Sequence, residues 1–272
     1  MIAPNTLLPV PAELVEVIDE TPTIKTLVVA PVEPMPFRAG QFVQLTLPGV
    51  GEAPFTPSSS PLQPDRIAIT ILRTGVVTER LHACRPGQML GLRGPFGKGY
   101  PIEKVRDKDV LVVGGGVGLA PLRALILALL GDLGAIRRMS IKYGARSPSE
   151  LLYRNQHQAW TASPKVDFTC TIDVPHGDWS GRTGLVTTLL ENLDIDKANA
   201  YVFVCGPAIM LKFATLSLLN EGLTPEQVYL SMNRRMSCGM GLCGRCNIGP
   251  YYLCKDGPDM NYALIKDYPN VF

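Results

Sequence analysis

Four cysteines near the C-terminal end, Cys238, Cys243, Cys246 and Cys254, stand in the spacing C-x4-C-x2-C-x7-C within CGMGLCGRCNIGPYYLC. Thiolates are soft ligands, and four of them this close in sequence suit an iron-sulfur cluster or zinc. The first three follow the spacing with which plant-type ferredoxins hold a 2Fe-2S cluster, while the short gap before the fourth departs from it. Structural zinc sites commonly use two C-x2-C pairs, and this stretch has one. Gly239, Gly241 and Gly244 suit a loop that wraps closely and turns backbone N–H groups toward sulfur, which tunes a cluster. The expectation is a cluster, with zinc as the alternative. Of the other thiols, Cys84 and Cys170 read as small apolar residues.

A second chemical signal lies at 114–121, GGGVGLAP, directly after the apolar run VLVV. Glycines let backbone approach a pyrophosphate, whose charge then meets free N–H groups and the positive end of a helix. Pro121 fits the first turn of that helix. The spacing differs from G-x-G-x-x-G, and no acidic residue follows at the usual distance to hold a ribose, so a standard dehydrogenase site is not expected. A bare glycine turn reads equally well as a tight bend. YGAR at 143–146, TID at 171–173 and CGPAIM at 205–210 also close apolar runs with small or polar residues. In open α/β sheets ligands bind at those strand ends.

The elements that would position these residues follow from the patterning. ELVEVI, TIKTLVV, QFVQLTL, RIAITIL and QMLGLRG are short β-type runs separated by Pro, Gly and Asp, which predicts a small antiparallel barrel over residues 1–104. From Asp109 onward strands alternate with helical stretches, among them LVTTLLENL at 185–193 and PAIMLKFATLSLLN at 207–220, which predicts an α/β domain with a parallel sheet over 105–230. The segment 231–272 has little room for a core of its own and needs a metal or cross-links to be ordered.

Composition excludes several classes. The chain has 272 residues, a formal net charge of +2 and 18% charged residues, without the basic excess of a nucleic-acid binder. The longest apolar run, 119–130, contains Arg123 and falls short of the ~20 residues of a membrane span, so no membrane insertion is expected. The sequence MIAPNTLLPVPAELVEV lacks the features of a secretory signal, and seven cysteines is an odd number, so a disulfide framework is a poor account of them. A cytoplasmic location is expected. His82, His157 and His176 show no ligand spacing and are read as surface or cap residues, and Ser58, Ser59 and Ser60 lack partners for hydrolysis.

GGGVGLAP and CGPAIM, following a β barrel, resemble the ferredoxin-NADP reductase superfamily over residues 10–230. The resemblance implies a flavin-binding barrel, FAD as its cofactor, and an NAD(P)-binding second domain. APFTPSS at 53–59 then occupies the place of the flavin motif, with Pro54 among the cofactor-binding residues, Phe55 against the isoalloxazine and Thr56 hydrogen-bonding near its N5 atom. The family arginine is replaced by Ala53, and Arg73 is the candidate substitute. RTGVVT at 73–78 resembles the second flavin segment, where Gly75, Val77 and Thr78 supply donors to the pyrophosphate. GPFGKGYP at 94–101 resembles the interdomain segment. On the nucleotide side, Gly115, Gly116, Gly118, Leu119 and Ala120 match the pyrophosphate turn, with Gly144 at the neighbouring strand end. Cys205, Gly206 and Pro207 match the strand end beside the nicotinamide, and Thr56 and Cys205 are the candidate catalytic residues. Arg146 is a candidate for a 2′-phosphate, or a solvated arginine; NAD and NADP both stay open.

With its cysteine segment, the chain resembles electron-transfer subunits of cytoplasmic NAD(P)-linked nickel-iron hydrogenases, of anaerobic sulfite reductase and of dihydroorotate dehydrogenase. That resemblance implies hydride transfer from nucleotide to flavin, one-electron transfer to a 2Fe-2S cluster held by Cys238, Cys243, Cys246 and Cys254, and a partner catalytic subunit, expected to be a hydrogenase. Arg234, Arg235, Arg245 and Lys255 are candidates for docking it. A zinc-stabilised protein that senses NAD(P)H is the reading from another class.

Overall fold

The β-branched runs of the first hundred residues form six strands: β1 Val10–Thr21, β2 Ile24–Pro31, β3 Phe42–Leu47, β4 Gly51–Phe55, β5 Ile67–Leu72 and β6 Met89–Phe96. They pair antiparallel in the order β4-β3-β6-β1-β2-β5. β4 and β5 come back into contact, so the sheet curls toward a barrel. Inward side chains such as Leu14, Leu27, Leu45, Ile69 and Leu92 are fully buried, each worth about 1.5–3 kcal/mol of hydrophobic stabilisation. A short helix, α1 Val76–His82, contributes Leu81 to this core. The computed structural model describes residues 7–175, 177 and 179–272, so His176 lies outside the described residues.

The second sheet is parallel except at one edge and is centred on β7 Asp109–Gly115, every residue of which is buried, as expected of a strand covered on both faces. Its other strands are β8 Arg138–Ala145, β9 Val166–Ile172, β10 Arg182–Thr183, β11 Ala200–Cys205 and β12 Val228–Ser231. The helices α2 Leu119–Leu130, α3 His157–Trp160 and α4 Ala208–Asn220 lie between them. The helix expected over 185–193 is instead a 3-10 turn at Val186–Leu190. Val186, Thr187 and Thr188 are β-branched and weak helix formers, and Asn192 at φ +51 reverses the chain immediately afterwards.

The cysteine-bearing segment comprises β13 Asn247–Ile248 paired with β14 Tyr251–Tyr252, then α5 Leu253–Asp256, β15 Asp259–Asn261 and α6 Tyr262–Ile265. It shares a core with the second domain through Ile248, Leu253, Met260 and Ile265, packed with Leu230 and Met232. β15 pairs antiparallel with β12 and completes the order β10-β9-β8-β7-β11-β12-β15. Among the described residues, no helix is long and apolar enough to cross a membrane.

Candidate functional site

β4 carries Ala53, Pro54 and Phe55 on the edge of the barrel, with Thr56 immediately after it, all half-buried. Register places Gln44 of β3 opposite both Pro54 and Arg93. Arg73 and Gly75 are exposed at the mouth of α1, and nothing within 4 Å would meet a Cβ on Gly75. The Thr78 hydroxyl accepts the N–H groups of Thr74 and Gly75 and donates to the Gly75 carbonyl. It therefore caps the turn, and Val77 packs on the barrel core.

On the nucleotide side, β7 ends at Gly115 and passes through the turn Gly116–Gly118 into α2 with no side chain capping the helix. Gly116 adopts φ +54, and nothing within 4 Å occupies the place of its missing side chain. Gly118 is a glycine for a different reason: a Cβ there would strike the Cys205 carbonyl and the Gly206 nitrogen. The turn after β7 and the turn after β11 are thus in backbone contact, and Gly144 pairs with Gly115 beside them. Leu119 and Ala120 are buried, so they can reach a ligand through backbone alone. Pro207 precedes α4, and Arg146 is exposed just beyond β8. Seen from the sheet, the residues expected to hold a pyrophosphate and a nicotinamide gather at the carboxyl ends of β7, β8 and β11. The open side of Gly116, bounded by uncapped helical N–H groups, fits a phosphate group.

Cys205 is buried, and its thiol is pushed up to about 12, first by burial and then by the charge of Asp259, against a hydrogen bond with Ser231. Asp259 is itself buried and raised to about 7 by burial, against the Ser231 and Tyr100 hydroxyls. Ser231 donates to its Oδ1 at 2.5 Å, while its Oδ2 has no partner.

A polar seam joins the barrel to α2. Arg123 donates to the Ser58 carbonyl at 2.5 Å and to Gln156 at 2.9 Å, and lies 4.8 Å over the Tyr153 ring. The Tyr153 hydroxyl meets Thr70 at 2.7 Å, and Thr70 meets Ser58. Ser58 is thereby structural. His157, at the start of α3, is half-buried: its ring lies 4.1 Å from that of Phe168 beside Trp160, and burial lowers its pKa. His82 bonds the Ile71 carbonyl next to the C-cap of α1.

The four cysteines of the C-terminal segment form two neighbouring pairs. Cys238 is hydrogen-bonded to Cys243, the Cys246 and Cys254 sulfurs are 3.3 Å apart, and Cys254 feels Cys238. Met240 and Leu242 N–H groups point at the Cys238 sulfur at 3.4 and 3.3 Å, and the Gly241 N–H points at Cys254 at 3.0 Å. Burial opposes ionisation of Cys238, but the N–H groups of Met240, Cys243 and Leu242 prevail and bring it down to about 6. Cys254 is held up at about 12 by burial and by Cys246. Among the described residues, no three His, Cys, Asp or Glu side chains converge on a single ion position. The donor set, four thiols with amides aimed at sulfur, fits an iron-sulfur group.

Sequence reasoning missed how this loop is held. Arg93 of β6, 5% exposed, forks onto Glu52 of β4 at 2.6 and 3.0 Å. Its guanidinium also reaches the carbonyls of Cys238 at 3.2 Å and Ser237 at 3.4 Å. The only signal was an arginine within an otherwise apolar strand, MLGLRGPF.

Comparison with known proteins accords with this geometry. Residues 13–100 match the oxidoreductase FAD-binding domain, 112–215 the oxidoreductase NAD-binding domain, and 233–266 the iron-sulfur cluster binding domain of dihydroorotate dehydrogenase B. The chain is 34% identical over 241 residues to the sulfhydrogenase 1 subunit gamma of Pyrococcus furiosus, covering 86% of this chain and 82% of that one. It is 35% identical over 252 residues to the probable dihydroorotate dehydrogenase B (NAD(+)) electron transfer subunit of Methanocaldococcus jannaschii, covering 92% and 88%. Among solved structures, one of an NADH-dependent reduced ferredoxin-NADP oxidoreductase superposes with a TM-score of 0.75 at 23% identity, covering 94% of this chain and 91% of that chain. The chain belongs to the ferredoxin-NADP-reductase-like family whose FAD-binding and NAD-binding domains carry a C-terminal iron-sulfur domain, the family of the sulfhydrogenase gamma and dihydroorotate dehydrogenase electron transfer subunits.

Proposed function

We propose that this chain is the NAD(P)H-oxidising, diaphorase-type subunit of a larger redox complex. It passes electrons between NAD(P)H, FAD and a 2Fe-2S cluster, to or from a partner catalytic subunit of a cytoplasmic nickel-iron hydrogenase. The observation that carries this reading is the seating of the cysteine loop on the barrel: the carbonyl of Cys238 lies 3.2 Å from Arg93, two strands away from the flavin motif and ion-paired to its strand through Glu52. Bound flavin takes up an electron pair as hydride and gives electrons up singly, which is the conversion needed between nicotinamide and iron-sulfur chemistry.

The residues divide the work. The turn from Gly115 to Ala120 offers backbone N–H groups to a pyrophosphate, and Arg146 stands where a further phosphate would reach it. Thr56 offers a hydroxyl at the end of the flavin-motif strand, and Pro54 and Phe55 offer an apolar face. Arg73, Gly75, Val77 and Thr78 frame the flavin phosphates. Cys205 stays a thiol at neutral pH, so it shapes the nicotinamide site and is no nucleophile. Two neighbouring pairs of cysteines favour two irons over one. Sulfhydrogenase gamma subunits among the relatives favour a hydrogenase partner. The match of residues 233–266 supports a second reading, the electron transfer subunit of a dihydroorotate dehydrogenase. Exposed Leu242, Arg235, Arg245 and Lys255 around the loop form the docking face in either case, while Arg234 is turned to the carbonyls of Asn270 and Val271.

The test is an anaerobic absorption spectrum of the purified chain before and after NADH and then NADPH. Flavin bands and a broad visible envelope that both bleach support the proposal, and the more effective nucleotide settles specificity. A colourless, zinc-containing protein refutes it.

A further inference from the structure

Among the described residues, Arg93 is the one guanidinium that touches both the strand of the flavin motif and the backbone of the first cluster cysteine. Its side chain is 4% exposed, and its partner Glu52, at 32%, sits one residue before Ala53. The surroundings are built to hold it. Gln44, 1% exposed, directs Nε2 toward the Ser237 carbonyl. Phe96 lies 5.6 Å from the guanidinium, and a side chain on Gly239 would strike that ring. On the other flank of the loop, the Lys98 N–H donates to the Gly257 carbonyl at 2.8 Å. The cluster segment is therefore gripped by the barrel on both sides, and the two ion pairs differ in burial: Lys98, which reaches Asp256 at 3.7 Å, is exposed, whereas Arg93 is buried.

We propose that Arg93, balanced by Glu52, is a positioning residue for electron transfer: it fixes the cysteine loop against the flavin-motif strand and sets the potential of the iron-sulfur group. This rests on the reading that electrons pass from flavin to the cluster. Two effects follow from one contact. A planar fork holds two carbonyls and a carboxylate in fixed relation, which a lysine cannot do. The pair also brings opposite charges beside the Cys238 backbone, where dielectric screening is weak. Removing the cation leaves Glu52 unbalanced and makes the cluster harder to reduce. Removing the anion leaves Arg93 unbalanced and makes it easier to reduce.

The experiment uses the full chain loaded with its cofactors, with the variants Arg93→Met, Arg93→Lys and Glu52→Gln. EPR-monitored redox titration gives the cluster potential, and stopped-flow absorbance follows flavin and cluster bleaching separately after mixing with reduced nucleotide. The potential is expected to fall in Arg93→Met, to rise in Glu52→Gln and to stay in place in Arg93→Lys. Cluster bleaching slows on the order of 10-fold or more in both Arg93 variants, the scale of effect of a small misplacement. Shifts of the same sign in Arg93→Met and Glu52→Gln, or none in either, overturn the electrostatic part. An unchanged cluster rate in Arg93→Lys overturns the positioning part. Should Arg93→Met fail to fold, the other two variants decide both parts alone. If the cluster of the unaltered protein is never reduced through the flavin, the functional reading fails, a result visible before any variant is made.

Discussion

Asp259 gives the sharpest prediction for stability. Its carboxyl is buried between Ser231, Tyr100 and Cys205, and its pKa is raised from 3.8 to about 7, chiefly by burial. In the unfolded chain it ionises near 3.8, so between that pH and 7 the folded state holds a proton that the unfolded state has lost. Stability therefore falls as pH rises through this window and is level above it. At 1.36 kcal/mol per pH unit, the ionised group costs the fold about 4 kcal/mol above pH 7. Asp259→Asn removes that titration while keeping an oxygen to accept from Ser231. It also buries an amide N–H where Oδ2 had no partner, a loss of about 1–3 kcal/mol. The variant should thus match or fall below the parent at pH 5 and exceed it by about 1–3 kcal/mol at pH 8. Urea midpoints of both proteins at equal cofactor content, from pH 5 to 8, test this. Parallel pH dependences would show that Asp259 is ionised throughout and that the reasoning is wrong.

Four further outcomes are expected. Iron removed anaerobically by a chelator at pH 7 exposes Cys238 largely as thiolate and Cys254 as thiol, given their values of about 6 and about 12; brief iodoacetamide treatment read by peptide mass spectrometry should label the first and spare the second. Gly116→Ala adds about 1–2 kcal/mol of left-handed strain and fills the open side of the turn, so NADH affinity by calorimetry should fall at least ~10-fold in a folded protein. Gly118→Ala, which drives a methyl group into the Cys205 carbonyl, should instead reduce soluble yield. Tyr153→Phe deletes the 2.7 Å bond to Thr70, a loss of about 1 kcal/mol in a thermal melt, with flavin content unchanged.

Local patterns were legible where one property repeats. The runs ELVEVI, TIKTLVV, QFVQLTL, RIAITIL and QMLGLRG all lie in strands of the first sheet, because β-branched residues in short alternating runs have few other ways to bury themselves. β4 escaped notice because GEAPF holds Gly, Glu and Pro, poor strand formers, and exists by pairing with β3. β15 is three residues long and is a strand only because β12 offers it an edge. The cysteine spacing marked the cluster loop, and the glycines marked the nucleotide turn, but nothing local distinguishes Gly116, open to a ligand, from Gly118, filled by backbone.

What escaped the sequence is the set of contacts between modules, and the reason is physical. Arg93 lies 145 residues from Cys238, and Asp259 meets Ser231 only because the C-terminal segment folds back onto the second sheet. Each is a charged residue in an apolar setting, which costs free energy unless partnered. Arg93 finds its compensation in Glu52, whereas Asp259 finds it only in part and shifts its ionisation instead. The two solutions differ in consequence. A compensated pair holds two strands and a loop in fixed relation. A partly compensated carboxyl changes charge near neutrality, and its ionisation acts directly on Cys205, at the proposed nicotinamide end of the site. The seam between barrel, sheet and cysteine loop therefore combines an ion pair beside the cysteines with a titrating carboxyl beside Cys205. Reduction by NADH, followed by stopped-flow absorbance, should therefore differ between Asp259→Asn and the parent by unequal amounts at pH 6 and pH 8, and an equal difference at both would refute the assignment.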